Sequence, residues 1–467
     1  MTSRIARREE YDTFLKTHPD AAWIEMMVPD MSGQLRGKRL TPKVAAKLFG
    51  EDAEGCRLPG SNYLLDVTGQ NVATLPYGGP DGDPDFFCHA VPDTLRPVPW
   101  SREPAGQVLC SMTDAGGRPH FADPRHILRR QEERLAERGL FPVMAIELEF
   151  HLVDAEAWGE RGEVLPARLP LSGERPSATN VYGLDDLGEF SELFSDIAEA
   201  ARMQGLDAET AVSEYAPGQY EVNLLHVADV VTACDRAVLL KRTIRQIALR
   251  HGAIATFMAK PFADLAGSGL HVHVSLLDRE GRNAFAGDVA DPRIGRAISS
   301  LMRHAVAGLV DTMAEGMAIF APHANSYRRL RPGTYAPVSA MWGGDNRTLP
   351  IRIPGGDARD LRIEHRVAGA DASPYLVAAA VLAGMLHGIE RELEPPEPVS
   401  GDGYAQEGAP IPLFWPEALR AFEAGEVLRP AFGETWAEAF LAARRQELET
   451  HHFTIPPLDY AWYLRTV

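Results

Sequence analysis

Cysteine is scarce in this chain. There are four in 467 residues (Cys56, Cys88, Cys110, Cys234), far apart and without a CxxC spacing. That excludes a disulfide-stapled scaffold and fits a reducing compartment. Positive charge is short as well: 47 basic residues, only six of them lysine, stand against 65 acidic ones. The formal net charge of −18 argues against nucleic acid or an anionic membrane as a partner and is compatible with cationic or metal-bound ligands. The first residues, "MTSRIARREEYDTF", carry no apolar signal core, and the longest apolar run, "YLVAAAVLAGML" (375–386), is too short to span a bilayer. A cytoplasmic protein without a membrane partner is expected. There is no GxxxxGK[ST] loop and no kinase signature set, so neither a P-loop nor a protein-kinase fold is indicated. Low-complexity tracts and internal repeats are also missing.

The rest of the composition is that of an ordinary globular protein, 45% hydrophobic and 24% charged, and long enough for two or more domains. Short β-like runs such as "AAWIEMMV" (21–28) alternate with Pro- and Gly-rich loops at 75–85 and 91–100. A helix signal follows, with Asp123 as N-cap, Pro124 at the first position and Gly139 past the end. The domain boundary is expected just before it, giving domains 1–118 and 119–467. A second helix is expected over 228–252, with a buried stripe of Val230, Cys234, Ala237, Leu240, Ile244 and Ile247 closed by Gly252. Residues 394–410 read as a surface loop, followed by a helical tail. Strands and helices mix without regular alternation, so the expected class is α+β.

The chemistry begins in "MAIELEF" (144–150). On a strand, Glu147 and Glu149 share one face while Ile146, Leu148 and Phe150 take the other. The same two-residue spacing places His271 and His273 together in "GSGLHVHVS", and Arg362, Glu364 and Arg366 together in "LRIEHRV". Glu214 and Glu221 bracket a Pro-Gly turn in "SEYAPGQYEVNLL". Singly, each fits a solvated strand face. Collectively they are oxygen- and imidazole-rich, and crowded carboxylates need a cation, so a hard divalent metal is the natural answer. Residues 328–366 add eight arginines against four acids. Because lysine is rare throughout, only the clustering carries weight. Metal-ready carboxylates beside clustered arginines suggest phosphoryl transfer from a metal-bound nucleotide.

These segments resemble the glutamine synthetase family over nearly the whole chain and in the family's order: "PDMSGQLRGK" (29–38), "IELEF", "SEYAPGQYEV", "KPF" (260–262), "GSGLHVHVS", "NSYRRLRPG" (325–333), "DNRTLPIRIP" (345–354) and "RIEHR". The resemblance implies an N-terminal β-grasp domain and a catalytic domain whose curved antiparallel sheet forms a funnel. It implies double rings, commonly dodecamers, with active sites shared between subunits. ATP is the implied co-substrate, with two or three Mg²⁺ or Mn²⁺ ions per site. Glu149, Glu214 and Glu221 would hold one ion, and Glu147, His271 and Glu364 a second. His273, Ser275, Arg347, Arg352 and Arg362 match positions around ATP and its phosphates, and His226 takes the place of an aromatic that stacks on adenine. Arg329 matches the grip on the glutamate α-carboxylate, Arg366 a contact to substrate or acyl phosphate, and Gly267 the amino-acid-binding turn.

Two departures and one retained residue bear on the substrate. Ammonia-using members carry a glutamate in the loop after "NSYRRL", where this chain has Tyr335, a poor base at neutral pH. Asp30 stands at the ammonium-binding aspartate. Ala266 replaces an asparagine common before "GSG". The pattern resembles the branch joining glutamate to larger amines, such as polyamines, ethanolamine or alkylamines, through a γ-glutamyl phosphate. Tyr335 and Trp342 are expected to wall the carbon chain. An ammonia-using enzyme and a non-catalytic ring are the alternatives.

Overall fold

The catalytic half is organised by one long strand, Phe141–Asp154. In the computed structural model, which describes residues 5–467, its alternation is as expected: Met144, Ile146, Leu148 and Phe150 are buried, while Val143, Ala145 and Glu147 face a cleft. The buried face rests on the helix Val230–Arg250, and the helix Pro374–Arg391 packs into the same core. Every residue of the expected stripe from Val230 to Ile247 is buried, and Asp229 caps the first of these helices by accepting from the Thr232 N–H. Gly252 then adopts φ +72°, the left-handed stop that glycine tolerates best. The "YLVAAAVLAGML" run is the buried middle of the second helix, and no helix among the described residues is long and apolar enough to cross a membrane.

The large sheet runs Trp342–Gly343, Ile351–Arg352, Ile363–His365, Leu270–Leu277, Phe141–Asp154, Gln219–Leu224, Ala208–Ser213, with Ala253–Thr256 on the far end of the long strand. It curls into a half-barrel. One edge departs from the antiparallel expectation: Trp342–Gly343 runs parallel to Ile351–Arg352, because the connection between them turns back through residues 344–350 rather than forming a hairpin.

Residues 23–113 build a separate sheet. Its strand Trp23–Pro29 lies between Leu35–Leu40, antiparallel, and Ala105–Thr113, parallel; Asp85–Ala90 and Cys56–Pro59 extend it. The helix Arg8–Thr17 covers it through Tyr11 and Phe14. The next helix, Pro124–Glu137, opens on Asp123, which accepts from the Arg125 and His126 N–H groups, and Gly139 follows it at φ +75°. All four cysteines are buried thiols. The architecture is α+β, as the sequence implied. Beyond the 394–410 loop, helices dominate to the end.

Candidate active site

Strand register gathers the expected residues. Glu147 lies opposite His271 on one side and Asn223 on the other; Glu149 lies opposite Glu221; His273 lies opposite Glu364, which lies opposite Arg352. Side chains opposed across antiparallel strands start about 5 Å apart, so each of these pairs is in reach on one face. A Glu149–Glu221 pair is a like-charge contact that the sheet alone would not favour.

The electrostatics show the cost. Burial, and then Glu147, Glu149 and Glu214, push the Glu221 carboxyl up to about 9; burial and Glu149 push Glu214 up to about 7. Burial works the same way on Glu147, but His271 and His273 outweigh it and hold that carboxyl well below the usual range. Burial also opposes ionisation of Glu364, yet Arg366, His273 and His271 hold it at about 2. Glu364 is fully buried between two guanidiniums: Arg352 Nη1 donates to Oε2 at 2.6 Å, and Arg366 Nη1 to Oε1.

A divalent ion fits these donors. Among the described residues His271 Nδ1 is buried without a hydrogen-bond partner, 3.9 Å from Glu147 Oε1 and 3.9 Å from Glu364 Oε1. That is too long for a hydrogen bond, yet suits two donors that each reach a common ion at about 2 Å. Donor atoms of Glu147, Glu221 and His271 also lie within 4.8 Å of one another. Glu147, His273 and Glu364 form a further such set. His273, however, is already committed. Arg362 Nε donates to its Nδ1 at 3.2 Å, and guanidinium cannot accept, so the proton sits on Nε2, which donates to Glu147 Oε1. His273 therefore orients Glu147.

Glu149 Oε2 accepts from the Gly269 N–H at 2.7 Å and from Gln219 Nε2 at 3.1 Å; the same Gln219 nitrogen reaches the Gly267 carbonyl at 3.1 Å. Gly269 is required by close approach: a Cβ there would meet Arg329 Nη2 at 2.8 Å and His271 Nε2 at 2.8 Å. Arg329 is buried against this turn, with Nη1 donating to the Val367 carbonyl at 2.8 Å. Ser275 continues the histidine face, half-buried. Arg347 is exposed, and its charge acts on Glu214. His226 is exposed just past the Gln219–Leu224 strand.

Two expectations are corrected. Trp342 walls nothing: it is 0% exposed, with Nε1 donating to the Pro396 carbonyl at 2.7 Å, and so plugs the core beside the 394–410 loop. Asp30 offers no surface in its own chain. It is fully buried, Oδ1 accepts from the Ser32 and Gln34 N–H groups, and Oδ2 accepts from Arg36 Nε at 2.9 Å. It forms a tight turn with Gly33 at φ +74°. Four supporting residues went unread in the sequence: Gln219, Asn223 (donating to Glu221 Oε1 at 3.0 Å), Asp345 (paired with Arg352 at 2.6 Å) and Tyr215. The first two share the face of Glu221 by simple alternation, a signal that was present.

Comparison with known proteins agrees with this geometry. Residues 121–463 match the family model described as glutamine synthetase, catalytic domain. The chain is 39% identical over 457 residues to the gamma-glutamylputrescine synthetase PuuA of Escherichia coli (strain K12), covering 98% of this chain and 94% of that one. It is 35% identical to the gamma-glutamylethanolamide synthetase GlnA4 of Streptomyces coelicolor (strain ATCC BAA-471 / A3(2) / M145), over 92% of this chain and 90% of that one. It is 32% identical to a glutamate–isopropylamine ligase of a Pseudomonas species, over 94% of both. Among solved structures, a GmaS/ADP complex superposes with TM-score 0.83 at 27% identity, covering 97% of this chain and 98% of that one. With this family match, these relatives and this cluster of carboxylates and histidines on one sheet face, the chain belongs to the glutamine synthetase family.

Proposed function

We propose that this chain is an ATP-dependent glutamate–amine ligase. Its first step transfers the γ-phosphoryl group of ATP to an oxygen of the glutamate γ-carboxylate and releases ADP. In the second, the amine nitrogen bonds to the carbonyl carbon, the C–O bond to phosphate breaks, and the amine loses a proton. The observation that carries the amine reading is Tyr335, half-exposed in the loop just after Arg329 and Arg331, where an ammonia-using site would carry a carboxylate. The three relatives named above, by name a putrescine, an ethanolamide and an isopropylamine enzyme, support it.

We assign Glu149, Glu214 and Glu221 to one Mg²⁺ or Mn²⁺, and Glu147, His271 and Glu364 to another. Bound there, such ions neutralise charge on the transferring phosphoryl group. His273, with its proton on Nε2, and Arg362 behind it keep Glu147 ionised and oriented. Arg352, braced by Asp345, faces the phosphates with Arg347, Arg362 and Ser275, and His226 stands on the adenine side. Gly267 and Arg329 receive glutamate. Arg366 stabilises the acyl phosphate, and its pairing with Glu364 fixes its position. We put the domain boundary near 118, a reading supported by the gap there between the strand Ala105–Thr113 and the helix Pro124–Glu137. A homo-oligomer of dodecamer type is supported by the exposed apolar end of the chain, where Phe453, Ile455, Trp462 and Leu464 stand in solvent. We place the enzyme in the cytoplasm, acting on small molecules.

Phosphate release at fixed glutamate and ATP, screened over ammonium, ethanolamine, isopropylamine, putrescine and aromatic amines, tests the reading. A primary amine should exceed ammonium in kcat/KM by about 10²-fold, the contribution of a general base that the ammonium route would lack. Ammonium as the best substrate would refute it.

A further inference from the structure

Removing Trp342 from the cleft leaves Tyr335 without its expected partner. Tyr215 supplies one. The two rings meet with centroids 6.0 Å apart and planes inclined at 58°, although their segments lie far apart in sequence. Tyr215 is 48% exposed and Tyr335 50%, so each keeps a free face. Tyr215 follows Glu214 directly, and its N–H donates to Glu214 Oε2 at 3.3 Å, which puts the ring one residue from the carboxylate cluster. Tyr335 is reached from the other side, through the loop that leaves Arg329.

That loop is held in shape. Thr334 Oγ1 donates to the Arg331 carbonyl at 2.7 Å, and Tyr404 Oη to the Ala336 carbonyl at 3.1 Å. Tyr335 itself sits at φ +55°, a left-handed conformation that a bulky side chain seldom adopts. The aromatic pair thus bridges the carboxylate cluster and the Arg329 segment at the mouth of the cleft.

Resting on the ligase reading above, we propose that Tyr215 is a specificity-determining residue which, with Tyr335, forms an aromatic wall for the carbon chain of the amine. The class selected is a primary amine with an extended aliphatic chain. Methylene groups pack on the ring faces, and a second ammonium at the far end gains from the negative face of the π-system. Tyr404 braces the wall from behind and does not touch the amine.

The test is steady-state phosphate release by the full-length enzyme with methylamine, propylamine, butylamine and putrescine, for the wild type, Tyr215→Ala and Tyr215→Phe. In Tyr215→Ala, KM for butylamine and putrescine should rise about tenfold, as loss of one ring face implies. KM for methylamine, glutamate and ATP should stay within about twofold, and Tyr215→Phe should behave as the wild type. A change shared equally by all amines, a raised KM for ATP, or no change would overturn the wall. If the wild type turned over ammonium and no amine, the ligase reading would fall and the wall with it. Amine turnover with the same chain-length profile in wild type and Tyr215→Ala would remove the wall alone.

Discussion

Glu149→Gln is expected to lower ATP-dependent phosphate release by about 10³-fold, the scale on which a single electrostatic stabiliser of a developing charge is lost. The substitution keeps the shape but changes the charge and the acceptor pattern. Glu149 Oε2 accepts from the Gly269 N–H and from Gln219, while Oε1 lies 3.6 Å from His271 Nε2. An amide with its oxygen towards Gly269 keeps that bond and turns its NH₂ towards the ion. Folding should therefore survive while ion binding fails, which circular dichroism and a thermal melt would verify. Unchanged turnover by Glu149→Gln would reject the assignment of these carboxylates. The non-catalytic alternative would return only if the wild type itself released no phosphate, and it gives no reason to crowd Glu147, Glu149, Glu214 and Glu221 on one face.

The second large effect falls on stability. Arg366→Ala should cost about 3 kcal/mol, because breaking a buried ion pair leaves its partner charged and poorly solvated. Glu364 has no exposed surface, and Arg352 would be the one guanidinium left paired with it among the described residues. The sign with pH follows from its depressed carboxyl. Glu364 titrates at about 2 when folded, against an ordinary value of 4.5. Its stabilising contribution is therefore complete above the unfolded value and fades as pH falls towards the folded one. The wild type and Arg366→Ala should differ most in neutral solution and converge as pH drops from 4.5 towards about 2. Denaturant melts across that range would show it. Equal stability at neutral pH would mean that Arg352 alone satisfies Glu364.

Much of the site was legible in single segments and little of it between them. Alternation on a strand settles that Glu147 and Glu149 share a face, and the same rule holds for His271 with His273 and for Arg362 with Glu364. Which carboxylate opposes which is a matter of register, set by turns and by packing of segments remote in the chain. So Glu149 opposite Glu221, or His271 opposite Glu147, could come only from the family resemblance or from the structure. Trp342 was misread because an aromatic in sequence looks the same whether it lines a cleft or plugs a core; its indole bond to the Pro396 carbonyl decides the matter. Asp30 was a local failure. "DMSGQ" is a turn signature in which the carboxylate serves its own backbone, with glycine at the left-handed position, and that chemistry is readable without a structure. Tyr215 was overlooked for the opposite reason, since only the folded chain brings it against Tyr335.

On the proposed reading, these carboxylates crowd together because doubly charged cations sit among them. Calorimetric titration of the metal-free enzyme with Mn²⁺ at neutral to mildly alkaline pH, repeated in buffers of different ionisation enthalpy, tests it directly. Glu221, pushed up to about 9, is protonated there, and Glu214, at about 7, partly so. An ion taking those ligands must expel protons, and its affinity must rise with pH below these values. Mn²⁺ is expected to bind with proton release, more weakly in Glu149→Gln and more tightly as pH rises from about 6 towards 9. Binding that releases no protons and ignores both pH and Glu149→Gln, or no binding at all, would contradict it.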